Sequence, residues 1–380
     1  MSDATPAVSV VMPCLNEAAT VAACVRQARD AMAAAGLAGE VVVADNGSDD
    51  GSADIAERAG ARVVQARVRG YGAAYLQGIG AARGRFIVMG DADGTYDFSL
   101  VPAFVEKLRE GNDLVLGSRF QGEIRPGAMP WLHRYLGNPL LTGILGLFFG
   151  QRVSDAHCGM RALTREANDR LQLRTTGMEY ASEMVAMAIR RGLTVAEIPI
   201  VYRPREGESK LRSFRDGWRH LRFMLLLSPT PLFLLPGFLA MLVGVAGLAV
   251  LFPGPRHVAG MTFDFHFMFV ASALAILGTQ LVVLGLAAKA LTRAELRIGD
   301  RSLALLDRWF TLERGLVAGF VLLLVGLAIN ALILVSWLAA GRRELFAVRP
   351  ALVGLTLLVV GAQLVFGSFF ISVVREDARG

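Results

Sequence analysis

The sequence predicts an α/β domain with a mostly parallel sheet, followed by an all-α membrane region of four helices. In residues 1–228 of the 380, short β-rich runs alternate with helical stretches, which is typical of a parallel sheet covered by helices. The remainder, 229–380, contains four uncharged apolar stretches, each long enough to cross a hydrocarbon core of about 30 Å. These stretches are 231–252, 267–288, 316–340 and 351–374.

The α/β half contains five predicted strands, and the first four are each followed by a predicted helix. The strands cover 8–12, 40–44, 61–65, 85–89 and 114–117. The helices cover 18–35, 52–59, 71–82 and 101–110. Ligands of such sheets bind at the carboxyl ends of the strands, so the residues that directly follow each strand are the candidates for a functional site.

The distribution of basic residues predicts the orientation in the membrane. The connection 289–315 carries six Lys and Arg residues, whereas the connection after the first apolar stretch carries only Arg256 and the one after the third carries three arginines. Near the N-terminus no apolar run is preceded by positive charge, so no secretory signal is predicted. By the positive-inside rule, the α/β domain and both termini are expected in the cytosol.

Two segments of the α/β half are expected at the membrane surface. Residues 139–150 are apolar but too short to span, so they form either core or an interfacial helix. Residues 203–222 contain seven Lys and Arg against three Asp and Glu, and each basic residue near anionic lipid contributes about 1 kcal/mol. We predict interfacial helices near 130–150 and 213–228, and we attribute the net charge of +6 to membrane attraction rather than to nucleic-acid binding.

Asp91-Ala92-Asp93 directly follows the apolar strand 85–89 and Gly90. Two carboxylates at this spacing, at the end of a buried strand, favour a divalent cation or a polyhydroxylated ligand. Oxygen ligands suit Mg²⁺ or Mn²⁺, which commonly bind together with a diphosphate. Glu17 and Asp45 follow the first and second strands, so all four acids are expected to face one crevice. A simple turn cap is the alternative for each of them.

Other motifs limit the class of function. Gly70-Tyr71-Gly72 begins a predicted helix, where backbone N–H groups can approach a phosphate, but Tyr75 stands in place of the third glycine of a dinucleotide fingerprint. This argues against an NAD enzyme. The three cysteines, Cys14, Cys24 and Cys158, are odd in number and form no C-x-x-C pair, and the five histidines lack metal-ligand spacing.

Seven motifs, in this order, resemble the family 2 glycosyltransferases and, within them, the polyprenyl-phosphate (dolichyl-phosphate) mannosyl- and glucosyltransferases. The motifs are 13–17, 45–52, 70–78, 91–93, 117–120, 155–161 and 205–211, within a resemblance that covers roughly 8–228. The resemblance implies a nucleotide-diphospho-sugar transferase (GT-A) fold. It also implies inverting, metal-dependent transfer of glucose or mannose from UDP- or GDP-hexose to polyprenyl phosphate, at the cytoplasmic membrane face.

The same resemblance assigns roles to individual residues. Donor binding is implied for Pro13, Asn16, Glu17, Asp45, Gly70, Asp91, Arg205 and Lys210. Asp93 and Asp91 are implied as ligands of Mg²⁺ or Mn²⁺, and Arg205 and Lys210 as a lid over the donor diphosphate. Acceptor binding is implied for Arg119, Arg134, Asp155 and Arg161. The catalytic set is then Asp91, Asp93, Arg119 and Arg134, while a structural pairing of Arg161 with Asp155 and a homo-oligomer both stay open.

Two departures from the family pattern leave the nucleotide and the sugar undecided. Asn46 follows Asp45 where many members have a second aspartate, and Thr95 stands where some have glutamine. A processive polysaccharide synthase is an alternative, but its Q-x-x-R-W motif is missing because Leu305 precedes Arg308-Trp309. A non-catalytic membrane scaffold is a second alternative, which the retained pair of aspartates disfavours.

Overall fold

The computed structural model of the protein describes residues 5–150, 153–206, 213–296, 311–341 and 346–377. The chain forms two compact units, which divide between Leu226 and Leu227. The first unit is an α/β domain and the second is helical.

Within the described residues, seven strands form the sheet of the first unit. They are β1 (Val8–Cys14), β2 (Gly39–Asp45), β3 (Arg62–Gln65), β4 (Phe86–Met89), β5 (Leu114–Ile124), β6 (Arg161–Thr164) and β7 (Val195–Tyr202). The strand order is β3-β2-β1-β4-β6-β5-β7. Neighbours are parallel except at β6, which is antiparallel to both β4 and β5. The predicted mostly parallel sheet is therefore confirmed.

Helices cover both faces of this sheet. The helices of residues 5–227 are α1 (Val21–Ala34), α2 (Ser52–Arg58), α3 (Tyr71–Ala81), α4 (Val101–Arg109), α5 (Asn138–Phe149), α6 (Arg165–Leu171), α7 (Tyr180–Arg190) and α8 (Ser213–Leu227). Successive side chains of a strand point to opposite faces. Val10 and Met12 of β1 accordingly belong to the core that α1 and α4 close, while Val11 lies against Gly78 of α3 on the other face.

The central strands are buried on both faces, which explains their apolar sequences. β4 is buried along its whole length, and in β1 only Pro13 is partly exposed. Parallel strands covered on both sides lack the alternation of polar and apolar residues that a one-sided sheet has. Because β2, β1 and β4 are parallel neighbours, their carboxyl ends lie side by side, with their polar loops at one edge of the sheet.

Two features of the sheet differ from the sequence-based prediction. β5 continues to Ile124 instead of ending near 117, and its register with β7 shifts between Ser118 and Glu123. β6 and β7 were not among the predicted strands, and β6, with four residues, is inserted between β4 and β5. Four residues are too few to show a periodic pattern, and whether they form a strand depends on packing against the neighbouring strands.

The described part of the second unit contains four long helices. They are α9 (Leu235–Leu251), α10 (Phe265–Leu296), α11 (Leu312–Ala339) and α12 (Val348–Asp377), with a small hairpin of β8 (Arg256–Val258) and β9 (Met261–Phe263) between α9 and α10. Four segments are long and apolar enough to cross a membrane: Thr230–Leu251, Phe265–Thr292, Leu312–Ala339 and Val348–Arg375. Each overlaps one predicted stretch, which confirms the predicted four-helix membrane region.

Glycines allow α11 and α12 to approach closely. A Cβ on Gly319 would lie 2.8 Å from the carbonyl oxygen of Gly361, and a Cβ on Gly361 would lie 2.7 Å from that of Gly319. A Cβ on Gly326 would likewise lie 2.7 Å from the carbonyl oxygen of Gly354. Close backbone approach at small residues is the usual basis of helix packing in lipid, where no hydrophobic effect drives association.

Candidate active site

Loops at the ends of β1 and β2 interlock through side-chain to backbone hydrogen bonds. The N–H of Asn16 donates to Ser48 Oγ at 3.0 Å, and Asn16 Oδ1 accepts from the N–H of Asp49, also at 3.0 Å. Glu17 N–H donates to Ser52 Oγ at 2.8 Å. Asn16 has a positive φ of 53°, a conformation that asparagine tolerates better than most residues. These predicted donor residues are therefore held together in one rigid double loop.

Asp45 and Asn46, at the end of β2, are both buried and serve mainly to shape the loops. The Asp45 carboxylate accepts from the N–H groups of Gly47 and Ser48 at 3.3 Å. Asn46 Nδ2 donates to the carbonyl of Val68 at 2.8 Å, and its Oδ1 accepts from the N–H of Gly70 at 2.7 Å. Because only an amide can donate and accept in this way, the asparagine found here in place of an aspartate has a structural reason.

Gly70 and Gly72 have a packing role at the start of α3. A Cβ on Gly70 would lie 2.2 Å from the carbonyl oxygen of Thr176, and one on Gly72 would lie 2.3 Å from that of Thr175. Gly70 also has a φ of 144°. The N–H of Gly70 donates to Asn46 Oδ1, so this N–H is already paired, and the two glycines admit the neighbouring loop of Thr175 and Thr176.

Asp93 is buried and presents its two oxygens to different partners. Oδ1 accepts from Thr95 N at 3.1 Å and from Thr95 Oγ1 at 2.6 Å. Oδ2 lies 3.4 Å from Nη1 of Arg205. The second guanidinium nitrogen of Arg205, Nη2, forms an ion pair with Glu17 Oε1. Arg205 therefore joins the loop after β1 to the loop after β4, which brings the predicted residues Glu17, Asp93 and Arg205 together.

Asp91 lies among tyrosine hydroxyls. Tyr75 Oη donates to Asp91 Oδ1 at 3.2 Å. The hydroxyl of Tyr71, one turn earlier on α3, is close enough to this carboxylate to lower the pKa of Asp91. Burial, followed by the nearby charge of Asp93, raises the pKa of Asp91 well above its ordinary value. Asp91 is therefore positioned by α3, whereas Asp93 has one oxygen facing a cationic group. Tyr71 and Tyr75 were not predicted as site residues, although their i, i+4 spacing on a helix places them on one face.

Gly159 connects this acid pair to the motif 155–161. Its N–H donates to Tyr96 Oη at 2.8 Å, and a Cβ at this position would lie 2.8 Å from Asp91 Oδ2. The Tyr96 ring packs on that of Tyr202, and the Arg119 guanidinium lies 5.2 Å from the centre of the Tyr202 ring. Asp91 and Arg119 therefore belong to one continuous site.

Arg119 and Asp155 form a buried bidentate ion pair. Arg119 Nε lies 2.6 Å from Oδ2 of Asp155, and Nη2 lies 2.8 Å from Oδ1. Arg119 stands in the segment where the β5 register shifts, and such irregularities commonly redirect a side chain. The pair uses Nε and Nη2 of Arg119, so Nη1 takes no part in it. Glu197 of β7 supports the pair by accepting from the N–H of Ser154 at 2.8 Å.

The surroundings of Arg161 disagree with the acceptor-binding role expected for it from the sequence. Its side chain is 2% exposed, and its nitrogens donate to the backbone carbonyls of Ala156, Cys158 and Ala181, each at 2.7 Å. A guanidinium enclosed by carbonyls holds a loop in shape and does not reach a substrate. Asp155 pairs with Arg119 instead, so the alternative partnership of Arg161 with Asp155 is also absent from the described residues.

Arg134 lies in the helical turn His133–Gly137 that leads into α5, with its guanidinium 5.4 Å from the centre of the Tyr135 ring. Several large apolar side chains of this region are exposed: Trp131, Tyr135, Leu136, Leu140 and Leu147. A groove of about 730 Å³ runs beside α5; its lining includes Phe120, Thr142, Gly143, Gly146, Val153 and Ser154. Ser154, which directly precedes Asp155, is one of the lining residues of this groove. Lys210 lies outside the described residues.

The residues present suit a Mg²⁺ or Mn²⁺ ion that arrives with a phosphate ligand. Among the residues that the structure describes, no three His, Cys, Asp or Glu side chains cluster to hold a metal by themselves. Asp93 Oδ2 nevertheless faces a cation, the Arg205 guanidinium. Mg²⁺ commonly binds one or two protein carboxylates and completes its coordination with substrate phosphates and water.

Comparison with known proteins identifies the family. Residues 9–172 match the family model described as glycosyl transferase family 2, and residues 286–375 match that of the glycosyltransferase family 2 C-terminal transmembrane region. These matches agree with the predicted GT-A domain followed by a membrane region.

The curated relatives include two similar proteins from Haloferax volcanii. The low-salt glycan biosynthesis hexosyltransferase Agl6 is 42% identical over 380 residues, covering 99% of this chain and 91% of that protein. A dolichyl-phosphate hexose transferase is 38% identical over 181 residues, covering 47% of this chain and 76% of that protein. A solved structure of glucosyl-3-phosphoglycerate synthase from Mycobacterium tuberculosis aligns with a TM-score of 0.48 at 24% identity, over 58% of this chain and 80% of that one. The chain is therefore a glycosyltransferase and belongs to family 2.

Proposed function

We propose that this glycosyltransferase moves a hexose, glucose or mannose, from a nucleotide-diphospho-sugar to polyprenyl phosphate, with inversion at the anomeric carbon. The close contact of Gly159 with Asp91 and Tyr96 is the observation that carries the proposal. It packs the motif 155–161, which contains Asp155, against the acid pair. The acid pair and the buried Arg119 therefore belong to one site. The relative named as a dolichyl-phosphate hexose transferase supports the same acceptor class.

On the donor side, the interlocked loops of Asn16 and Asp49 form a rigid wall suited to a nucleoside. Asp93, with Asp91 beside it, would hold Mg²⁺ or Mn²⁺, and a bound ion would neutralise the charge that develops on the leaving diphosphate. Arg205 and Lys210 supply positive charge to the same diphosphate in this proposal. Asp91, fixed by Tyr71 and Tyr75, orients the donor at least as much as the ion.

On the acceptor side, Arg119 and Arg134 bind the lipid phosphate. A guanidinium matches a phosphate in geometry and charge, and Nη1 of Arg119 is the atom its ion pair leaves for a ligand. Asp155 keeps Arg119 ionised and oriented within a buried setting. The groove beside α5, with mostly apolar lining residues and Ser154 among them, suits a hydrocarbon chain.

The reaction needs a positioned nucleophile more than a strong base. A phosphate monoester has a second pKa of about 6, so its oxygen is largely ionised at neutral pH. That oxygen attacks the anomeric carbon while the bond to the nucleoside diphosphate breaks, and a single displacement of this kind inverts the configuration. Holding the acceptor phosphate in line with the leaving group is therefore the main task of the arginines.

We further propose that the reaction takes place at the cytoplasmic face of the membrane, where the positive-inside rule puts the α/β unit. The exposed face of α8 supports contact with lipid headgroups, since Arg215, Trp218, Arg219, Arg222 and Leu226 are all exposed at helical spacing. Basic side chains with one tryptophan and one leucine suit an anionic lipid surface. The exposed apolar side chains of 131–147 supply a second contact of this kind.

Purified full-length protein with Mg²⁺ or Mn²⁺, a short polyprenyl phosphate and a panel of labelled nucleotide sugars tests the proposal. We expect one lipid-extractable monosaccharide product, which a chelator and Asp93→Asn both abolish. A long water-soluble polymer would indicate a processive synthase instead. Absence of turnover with every donor would contradict the proposal.

A second assay separates the two substrates. Arg134→Ala is expected to raise KM for the lipid phosphate at least about tenfold, the scale of a lost charge-assisted contact, while nucleotide binding is retained. Arg125→Ala, an exposed arginine just beyond β5, is the matched control. Equal loss of donor and acceptor binding in Arg134→Ala would remove Arg134 from the acceptor site.

A further inference from the structure

The guanidinium of Arg205 lies where a cation bound to Asp93 would lie. Thr95 occupies Oδ1 of Asp93 with two hydrogen bonds, at 3.1 Å from its N–H and 2.6 Å from its hydroxyl. Oδ2 is the oxygen that remains for a cation, and Nη1 of Arg205 is 3.4 Å from it. The protein therefore places one of its own positive charges at the oxygen on which a metal ion would depend.

Glu17 holds Arg205 from the other side. The ion pair between Arg205 Nη2 and Glu17 Oε1 joins the loop after β1, while the contact with Asp93 joins the loop after β4. The side chains of Glu17 and Asp93 are each 10% exposed, so both charges are shielded from water. Two such carboxylates repel each other unless a positive charge lies between them. Arg205 supplies that charge in the absence of a ligand.

The same arrangement leaves Arg205 incompletely satisfied. Its Nε is buried and has no hydrogen-bond partner within the part of the chain that the structure describes. Burying a hydrogen-bond donor without an acceptor is unfavourable, and the free-energy cost is larger when the donor is charged. A diphosphate in the crevice would offer several anionic oxygens to this guanidinium. Arg205 thus has a reason to leave Asp93 when a nucleotide diphosphate binds.

We propose that Arg205 and the divalent cation exchange at Asp93, an inference that rests on the proposed function. Without donor, Arg205 neutralises Asp93 and Glu17 and keeps the cation out. When the cation enters with the nucleoside diphosphate, the ion takes Oδ2 of Asp93 and Arg205 turns to the diphosphate oxygens. Two positive charges cannot share one carboxylate oxygen without strong repulsion, so the two states exclude each other.

This exchange has a consequence for the order of binding. The free protein binds the cation weakly, because the ion must displace an arginine that has two acidic partners. The cation complexed with a diphosphate binds tightly, because the displaced arginine gains new partners. Cation and nucleotide sugar therefore enter together, and the metal site forms only when there is a leaving group to stabilise.

Binding of Mn²⁺ alone to the full-length chain, followed by electron paramagnetic resonance of the free ion, tests the exchange without any turnover. Arg205→Met is expected to bind Mn²⁺ roughly tenfold more tightly than the unaltered chain, the scale of a partly buried ion pair. In the presence of UDP or GDP, each tested separately, the same variant is expected to bind Mn²⁺ more weakly than the unaltered chain. If Arg205→Met does not fold, both measurements are repeated with Arg205→Gln.

Arg203→Met is the matched control. Arg203 stands two residues earlier and pairs with Asp97 at 2.5 Å rather than with Asp93, so its loss removes the same charge from the same segment. We expect Mn²⁺ affinity in this variant to stay within about twofold of the unaltered chain, because screened surface charges contribute little. Asp93→Asn should abolish Mn²⁺ binding, so that the free-ion signal keeps its full intensity, which identifies Asp93 as the site.

Two results would overturn the exchange. One is an Arg205→Met variant that binds Mn²⁺ no more tightly than the unaltered chain. The other is an equal gain in Arg203→Met, which would reveal a general effect of net charge. Neither depends on transfer to polyprenyl phosphate. Failure of the transfer assay with normal Mn²⁺ exchange would reject the proposed function alone.

Discussion

The carboxylate of Asp155 takes both Nε and Nη2 of Arg119, at 2.6 and 2.8 Å, and the two side chains are 0% and 6% exposed. A buried pair of this kind is not a strong source of stability by itself, because both ions lose their hydration. Breaking it on one side is costly, since an uncompensated charge then stays buried. The pair therefore holds the Arg119 side chain in one fixed orientation.

We predict that Asp155→Asn destabilises the α/β unit by about 3–5 kcal/mol, the range for removing one partner of a buried pair. Thermal unfolding of the detergent-solubilised protein measures the loss. The double variant Arg119→Met/Asp155→Leu should recover much of the stability, because it removes both charges, but it should not recover transfer. Full stability in Asp155→Asn would mean that the pair is hydrated and not buried.

The tyrosine hydroxyls around Asp91 lead to a second prediction. Tyr75→Phe removes a hydrogen bond to a carboxylate, which contributes about 1.5–3 kcal/mol when a charged group accepts. We expect a higher KM for the nucleotide sugar and a lower unfolding temperature. Tyr180→Phe is the control, since the Tyr180 hydroxyl is buried without a hydrogen-bond partner among the described residues. Its loss should be neutral or slightly stabilising, and equal effects of both variants would argue against a role for Tyr75 in positioning Asp91.

Gly159 leads to a third prediction, on steric grounds. In Gly159→Ala the new methyl group would lie 2.8 Å from Asp91 Oδ2 and 2.9 Å from Tyr96 Oη, closer than carbon and oxygen atoms can pack. We expect transfer to fall by at least about tenfold, as small displacements of positioned groups commonly cause.

The control for this substitution is Gly80→Ala in α3, where nothing lies within 4 Å of the added carbon. That change should be neutral or stabilise the helix by up to about 1 kcal/mol. Retention of normal transfer in Gly159→Ala would show that the 155–161 motif can move away from Asp91 without harm.

A fourth prediction concerns pH. His220 of α8 is buried, and Ser182 Oγ lies 2.7 Å from its Nδ1 and 3.2 Å from Nε2 of His157. Burial lowers the pKa of His220 to about 4 and also holds the pKa of His157 well below its ordinary value. The charge of Asp216 acts in the opposite direction on His220, and that of Arg161 in the same direction as burial.

Both histidines stay neutral in the folded state, whereas the unfolded chain protonates them near pH 6.5. The unfolded state therefore binds more protons between pH 6.5 and 4, and stability falls as the pH falls through this window. For His220 alone the loss approaches about 3 kcal/mol at pH 4. Denaturation midpoints of the α/β unit, measured from pH 7.5 down to 4.5, should decrease, and His220→Gln should reduce the slope. A flat profile in the unaltered chain would contradict the neutral, buried histidine.

The sheet and the grouping of the acids in the proposed donor half of the site were accessible from the sequence because their signals are local. Strands β1, β2 and β4 are rich in apolar residues, and Asp91 and Asp93 follow the last of them after Gly90. The loops that follow neighbouring parallel strands lie at the same edge of the sheet, so the positions of these residues in the sequence predict that they lie close together. The contact of Arg205 with Glu17 spans 188 residues, and only the family resemblance suggested a shared role.

The proposed acceptor half depends on contacts that the spacing of residues in the sequence does not encode. Arg119 and Asp155 are 36 residues apart, and the register shift in β5 determines where Arg119 points. Arg161 has the composition of a phosphate ligand, yet three carbonyls from two separate segments enclose it. Burial of this kind is a tertiary property, and a sequence motif alone cannot distinguish it from a binding role.

The last prediction concerns Asn46, where many family members have a second aspartate. Nδ2 of Asn46 donates to the carbonyl of Val68 at 2.8 Å, while Oδ1 accepts from Gly70 N–H. In Asn46→Asp a carboxylate oxygen would face that carbonyl, with no hydrogen to share and with like partial charges opposed. We expect a loss of about 1–3 kcal/mol in unfolding free energy, and a weaker hold on the loop before α3. Asp49→Asn, a change of the same size at an exposed turn, should cost less than about 0.5 kcal/mol. If Asn46→Asp instead has normal stability and only its nucleotide preference changes, Asn46 contacts the base and its role in the loop is secondary.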